Sequence, residues 1–529
     1  IFTGCSLKPD IEYNDSIIPT EFKNSKDKNS NLEYIQPNWQ DFVKNDKLKE
    51  LIKLAIENNR DLKIAILNIE SARATYRIEK AKYFPSIDAK ASNTNARDVT
   101  SNNNTEISRT YSAKFGASYE LDLFGKTRSL NDSTLQSYLA TKYAATSAKI
   151  SLISEVINIW NTLSSNIEHL KLLQNSIDNL EVASELTQKK FDMGIILIDD
   201  VFSSQTSLKE TEVNLLNQLT TIEKNKNALE LLVSTSIPND LLPTGFKDTE
   251  NSLMLIQSGL SSEVLFSRPD IIEAEYNLKA KNANIGVARA AFFPSITLTA
   301  DYGLASTSLS SLFNGNAQTV WSFIPSINLP IFKGGENKAN LDYANAQQKI
   351  ALAQYEKTIQ SAFKDVSDAL IERANISKQL NAQEDLVNTA QKSYEVALNS
   401  YKYGLGTYLN VLVAQKTLFD TQRVLVDTKL NELINRVSLY TSLGGNEKID
   451  FLYLTKLYKV SISFAQISSS IVSKISGISS ILSSFIKNLK LSQPILPAPK
   501  LSCLSTFAPR GGFESLICIP LKYSNPTIS

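Results

Sequence analysis

The sequence predicts an internally duplicated chain that joins membrane-type β-strands to very long α-helices, and three observations carry that expectation. The first is a repeat: Phe84-Pro85-Ser86-Ile87 returns as Phe293-Pro294-Ser295-Ile296, 209 positions later. The register also holds at Asp61 and Asp270, Phe124 and Phe332, Gly194 and Gly404, and Gln205 and Gln415. A unit this long is no solenoid repeat of a few tens of residues, so the 529 residues reduce to one architecture written twice. The second is two proline-free windows, Pro85 to Pro238 and Pro330 to Pro494, in which long helices are permitted. The third is four stretches whose apolar residues alternate with polar ones, the period of a strand with two unlike faces.

The elements follow in order. A first helix is expected from about Asp46 to Tyr83, ending at the Phe-Pro junction, where Pro85 stops a helix and is tolerated at a strand start. Ile87, Ala89 and Ala91 then oppose Asp88 and Lys90, and from Tyr111 to Leu123 the odd positions are apolar and the even ones polar. From about Lys126 to Phe191 the spacing is helical, which at 1.5 Å per residue is a rod of roughly 100 Å. A turn through Gly194 leads to a returning helix, about Ile198 to Leu232. The second half repeats the order: Ile271 to Phe292 helical, Pro294 at the junction, strands at Ile296 to Leu304 and Trp321 to Ile331, a long helix from Glu336 to Tyr403, and a return from Tyr408 to Leu443. Tyr355, Ile359, Ala362, Val366 and Leu370 mark one face of that second rod.

Long amphipathic helices alone also fit a soluble coiled-coil scaffold, and alternating strands alone fit a two-layer soluble sheet. Strands of about 9 to 13 residues with aromatics on the apolar face fit a transmembrane β-barrel. Four strands cannot close one, since small barrels need about eight and an open edge in lipid leaves backbone groups unpaired. Several chains must therefore pool their strands.

Composition argues against other classes. With 55 Lys+Arg against 54 Asp+Glu, no overall field favours nucleic acid. One His and three Cys leave little material for metal or thiol chemistry, so neither a cofactor nor an enzyme is expected. Residues 446–529 stand apart: they carry a net charge of +6, six of the sixteen prolines and no match to either repeat.

Five colinear stretches carry a family resemblance: the run from Asn38 to Ile87, "YELDLFGKTRS", the run from Gly259 to Leu298, "LPIFKGGENKANL" and "YKYGLGTYLNVLVAQKTL". With them the chain resembles the outer-membrane efflux channels of the TolC superfamily, lipoprotein branch (OprM-like and CmeC-like, NodT type). The resemblance implies a membrane β-barrel plus a long α-helical barrel: a homotrimer whose twelve-stranded barrel takes four strands from each chain and continues into a periplasmic tunnel. It implies a periplasmic membrane-fusion adaptor and a resistance-nodulation-division inner-membrane pump as partners, with drugs and amphiphiles as cargo. The expected divisions are a lipidated leader at 1–43, one repeat at 44–240, an equatorial segment at 241–267, a second repeat at 268–445 and an unassigned extension at 446–529.

"FTGC" resembles a lipobox, so Cys5 is the expected acylation site and outer-membrane lipid a further partner. The sequence begins without Met or an apolar signal region, and a leader is expected to have been removed. Gly194, Gly404 and Gly406 can supply the positive φ of tight helical hairpins; by resemblance these turns form the tip where the adaptor docks, and the plainer role of each is a helix cap. Among the family's gate residues Tyr401 matches, Lys416 stands for an Arg and Val413 replaces an Asp, so the usual ion pair lacks its carboxylate, while Leu409 would form a hydrophobic ring. Asp199 and Asp200 would give carboxylate rings favouring cations, or simply cap the following helix.

Overall fold

A computed structural model describes residues 7–13, 17–19, 22, 36–99, 105–249, 251–256 and 261–447. The chain divides into two units, Ile1–Ile449 and Asp450–Ser529, and the second lies outside the described residues, as does Cys5. The first half runs α1 (Trp39–Phe42), α2 (Asp46–Asn58), α3 (Arg60–Ala81), β1 (Ser86–Val99), β2 (Thr105–Leu121), α4 (Lys126–Asp192) and α5 (Ile198–Val233). A short α6 (Phe246–Thr249) lies in the connecting segment. The second half runs α7 (Pro269–Ala290), β3 (Ser295–Ser306), α8 (Leu309–Phe313), β4 (Gln318–Asn328), α9 (Glu336–Lys402) and α10 (Tyr408–Ser442).

Duplication shows in the punctuation. α4 and α9 each have 67 residues and each opens on a left-handed glycine, Gly125 at φ 73° and Gly335 at φ 89°. Pro85 and Pro294 stand directly before β1 and β3. The expected single helix from Asp46 to Tyr83 is instead two. Asn59 is extended (φ −57°, ψ 131°), its side-chain oxygen accepts from the Leu62 amide, and its side-chain nitrogen Nδ2 donates to the Leu232 carbonyl at 2.8 Å. One residue thus ends α2, caps α3 and ties the bend to α5.

The four strands form one antiparallel sheet in the order β1-β2-β3-β4. β1 and β2 are longer than expected, and β4 ends at Asn328 rather than Ile331, because it pairs residue for residue with β3 from Ser295↔Asn328 onward. Pro325 lies inside β4, opposite Leu298 of β3. The sheet's faces differ. Phe115, Tyr302, Trp321 and Phe323 on one face are exposed, Trp321 at 74%, whereas Ser112 and Gly116 on the other are buried. On the polar face the Ser92 and Ser112 hydroxyls meet at 2.8 Å and Ser322 donates to Asp301.

Buried apolar side chains gather at two levels of the helical body. The larger cluster packs α2, α4, α7, α9 and α10 around Trp160, whose indole nitrogen donates to the Leu241 carbonyl. Both ends of the body meet here: Phe42 stacks on Tyr440 at 4.4 Å, and Glu447 accepts from the Trp39 amide and the Tyr440 hydroxyl and pairs with Lys149 at 2.6 Å. Two expected boundaries move accordingly. Trp39 and Phe42, placed in the leader, belong to the core, and the body extends past Gly445 through Glu447. No described helix is long and apolar enough to cross a membrane.

Candidate functional site

The second cluster lies at the far end of the helices, where the two hairpin turns come together. Ala183 of α4 packs there with Ala390, Tyr394 and Tyr401 of α9 and with Tyr408, Val411 and Leu418 of α10. The two turns are built alike. Gly194 donates to the Phe191 carbonyl and Ile195 to that of Lys190; Gly404 donates to Tyr401 and Leu405 to Ser400. Both glycines are left-handed, at φ 72° and 77°, and a Cβ on either would meet nothing within 4 Å, so backbone conformation alone selects them. Gly406, expected to share that role, is not left-handed. A Cβ there would lie 3.3 Å from the Ser400 side chain, so close approach explains it.

Tyr401 is the centre of the cluster. Only 2% exposed, it donates to the Thr187 hydroxyl at 3.3 Å and meets the Tyr408 ring edge-on at 5.7 Å. The buried Lys190 ammonium lies 3.8 Å from the Tyr401 ring centre and donates to the Tyr401 carbonyl. A desolvated cation over an aromatic face gains up to about 2 kcal/mol, so this contact pins the α9–α10 turn to α4. Burial pushes the Tyr401 phenol up, with Asp200 adding to the effect and the Thr187 hydrogen bond opposing it. Burial also drives Tyr408 up to about 12, helped by Tyr401, Tyr394 and Asp200.

The other residues singled out in the sequence go elsewhere. Leu409 is 63% exposed, and with Leu405 and Val413 it forms an apolar stripe along a groove of about 550 Å³ between α9 and α10. Lys416 is not brought to Tyr401; it points outward and pairs with Asp420 at 3.4 Å, so it does have a carboxylate, one turn along its own helix. Asp199 and Asp200 do not cap α5. The capping position is Leu197, with no side-chain hydrogen bond, and the two acids sit in the first turn, where negative charge suits the helix dipole. Asp199 is exposed and Asp200 half-buried beside the tyrosines.

Sequence reasoning missed Lys190, Thr187 and Tyr408. A faint signal existed in the duplication, since Tyr401 falls on Phe191, the neighbour of Lys190. No group of three or more His, Cys, Asp or Glu side chains able to hold a metal occurs among the described residues.

A family model described as "Outer membrane efflux protein" matches residues 51–235 and 260–445, one span per half. Similar proteins include a probable efflux pump outer membrane protein, TtgC, of Pseudomonas putida, 38% identical over 453 residues that cover 84% of this chain and 93% of the relative. The cation efflux system protein CusC of Escherichia coli is 36% identical over 445 residues, covering 84% and 96%. Among solved structures, CusC superimposes with a TM-score of 0.76 at 35% identity, covering 83% of this chain and all of that one. The open-state MtrE channel of Neisseria gonorrhoeae superimposes with 0.74 at 32%, covering 84% and 99%.

Proposed function

Since the chain belongs to the outer membrane efflux protein family and is an outer-membrane efflux channel, we propose that three copies form the exit duct of a tripartite pump and that the tip cluster sets its closed state. The observation that supports this best is the four-stranded sheet with one polar face, one face carrying exposed aromatics and two open edges, β1 and β4. In lipid an open edge is untenable; pairing β4 of one copy with β1 of the next removes every edge and encloses a polar lumen of twelve strands. The helices continue that lumen for roughly 100 Å on the other side of the junctions at Pro85 and Pro294.

The turns at Gly194, Gly404 and Gly406 are then the rigid points on which a periplasmic adaptor docks, and energy comes from an inner-membrane pump of the resistance-nodulation-division class. Leu409 and Val413, exposed in one protomer, face their copies as stacked apolar rings. Asp199 and Asp200 add carboxylates at the same end, and Lys416 lies just beyond. Tyr401 acts inside each protomer, holding the turn against α4 through Lys190. Acyl chains on Cys5 supply a second anchor beside the barrel. Cargo is of the kind named for the relatives, antibiotics and organic solvents, and selection is left to the pump.

The test is export. Deletion of the gene in its own host should raise accumulation of an amphiphilic fluorescent dye, and restoring the full chain should reverse it. Unchanged accumulation on deletion would contradict the reading.

A further inference from the structure

The β1–β2 hairpin outreaches the rest of the sheet. β2 and β3 stop pairing at Tyr111↔Ser306, but β1 and β2 continue through six further pairs, Thr94↔Thr110 to Val99↔Thr105, a ribbon of about 20 Å. Along the apolar face the character changes at that level. Below it the odd positions of β2 are apolar from Leu121 to Tyr111; above it come Arg109, opposite Asn95, and Arg97, opposite Ile107.

Heights follow from the register. The ten residue-to-residue steps from Leu121 to Tyr111 span about 33 Å of strand, or about 25 Å along the membrane normal at a tilt of about 40°. That is the height of a barrel's apolar band. Arg109 lies about 5 Å above its upper limit and Arg97 about 10 Å, while the headgroup layer is about 5–7 Å deep on each side. Long guanidinium side chains span the remainder.

The two arginines are diagonal neighbours across the pair, about 7–8 Å apart, a spacing at which like charges repel. No Asp or Glu occupies an odd-numbered position between 93 and 111 to offset them. Both side chains are exposed, and Arg97 spends one donor on the Thr105 hydroxyl at 3.1 Å. Two forks of N–H donors at headgroup height, without a carboxylate on their face, match a phosphate.

On the reading that three copies close a barrel with the helices in the periplasm, we propose that Arg97 and Arg109 form an outward basic girdle that binds the phosphorylated glycolipid headgroups of the outer leaflet. Three copies place six guanidinium groups around the barrel. The site holds the protein at a fixed depth and recruits anionic lipid to its outer rim.

Native mass spectrometry of the full-length detergent-extracted protein, titrated with lipid A and separately with phosphatidylcholine, tests this. Wild type should retain lipid A in preference to phosphatidylcholine. With a contribution of about 1 kcal/mol per arginine, Arg97→Gln with Arg109→Gln should weaken lipid A binding about 30-fold, and Lys114→Gln on the polar face should leave it unchanged. Because both arginines are exposed, the variants should assemble as wild type does. A trimer without lipid A preference, a double variant that binds like wild type, or an equal loss in Lys114→Gln would overturn the girdle alone. A wild-type protein found only as single chains would overturn the channel reading, and the girdle with it.

Discussion

Replacing Glu447 with Ala tests how the two ends of the body are joined. The Glu447 side chain is 3% exposed and the Lys149 side chain 14%, so solvent screens their 2.6 Å pair little. Its second oxygen accepts from the Trp39 amide at 2.7 Å and the Tyr440 hydroxyl at 3.2 Å. Removing one partner of a buried pair typically costs about 3–5 kcal/mol. Taking about 3 kcal/mol, and assigning it to the local docking of α1 rather than to global unfolding, amide exchange should speed up about 100-fold. Hydrogen exchange with mass spectrometry should show this at Trp39–Val43 and leave the tip unchanged. Glu447→Gln, which keeps an acceptor but loses the charge, should give about tenfold. A chain ending at Gly445 should behave like Glu447→Ala, and one ending at Ile449 like wild type. If Trp39–Val43 exchanged within twofold of wild type in Glu447→Ala, the clamp would carry no energy and the body would end at Gly445 after all.

Tyr408 is buried and its hydroxyl has no hydrogen-bond partner among the described residues, so Tyr408→Phe should be neutral or stabilise by up to about 1 kcal/mol in thermal unfolding. Because burial raises its folded-state pKa from 10.0 to about 12, the fold keeps its full stability below pH 10 and loses part of it as pH rises from 10 to 12, and Tyr408→Phe should lessen that alkaline loss. Gly404→Ala, at φ 77°, should cost about 1–2 kcal/mol and speed exchange at the turn, whereas Gly406→Ala should cost less because only the Ser400 side chain must yield. Asp200→Asn should lower cation preference in planar-bilayer reversal potentials while leaving resting conductance nearly unchanged.

Elements set by strong local signals were legible in the sequence. The expected rods, Lys126 to Phe191 and Glu336 to Tyr403, end within one residue of α4 and α9, because glycines at 125, 194, 335 and 404 punctuate otherwise uninterrupted periods. The bend at Asn59 was hidden because apolar spacing continues across it, and only the side chain's reach to Leu232 reveals the break. The upper part of the first hairpin escaped notice because Asn93, Thr94 and Asn95 carry no alternation, as suits a ribbon polar on both faces. Lys190 was hidden by type: a lysine on a long helix is ordinarily solvated, and only the meeting of two turns 210 positions apart makes it a buried cation. Glu447 sat in a tail that composition set aside.

A closed barrel leading to a duct that is shut at the tip is open to direct measurement by planar-bilayer recording of the purified full chain. Leu409 and Val413 are exposed in the protomer, so replacing both with Ala should cost its fold little, within about 0.5 kcal/mol per surface site. Wild type should show a small resting conductance, and Leu409→Ala with Val413→Ala a several-fold larger, stable one. Equal conductance in the two proteins would place the constriction elsewhere, and the absence of discrete channels in both would contradict the duct itself.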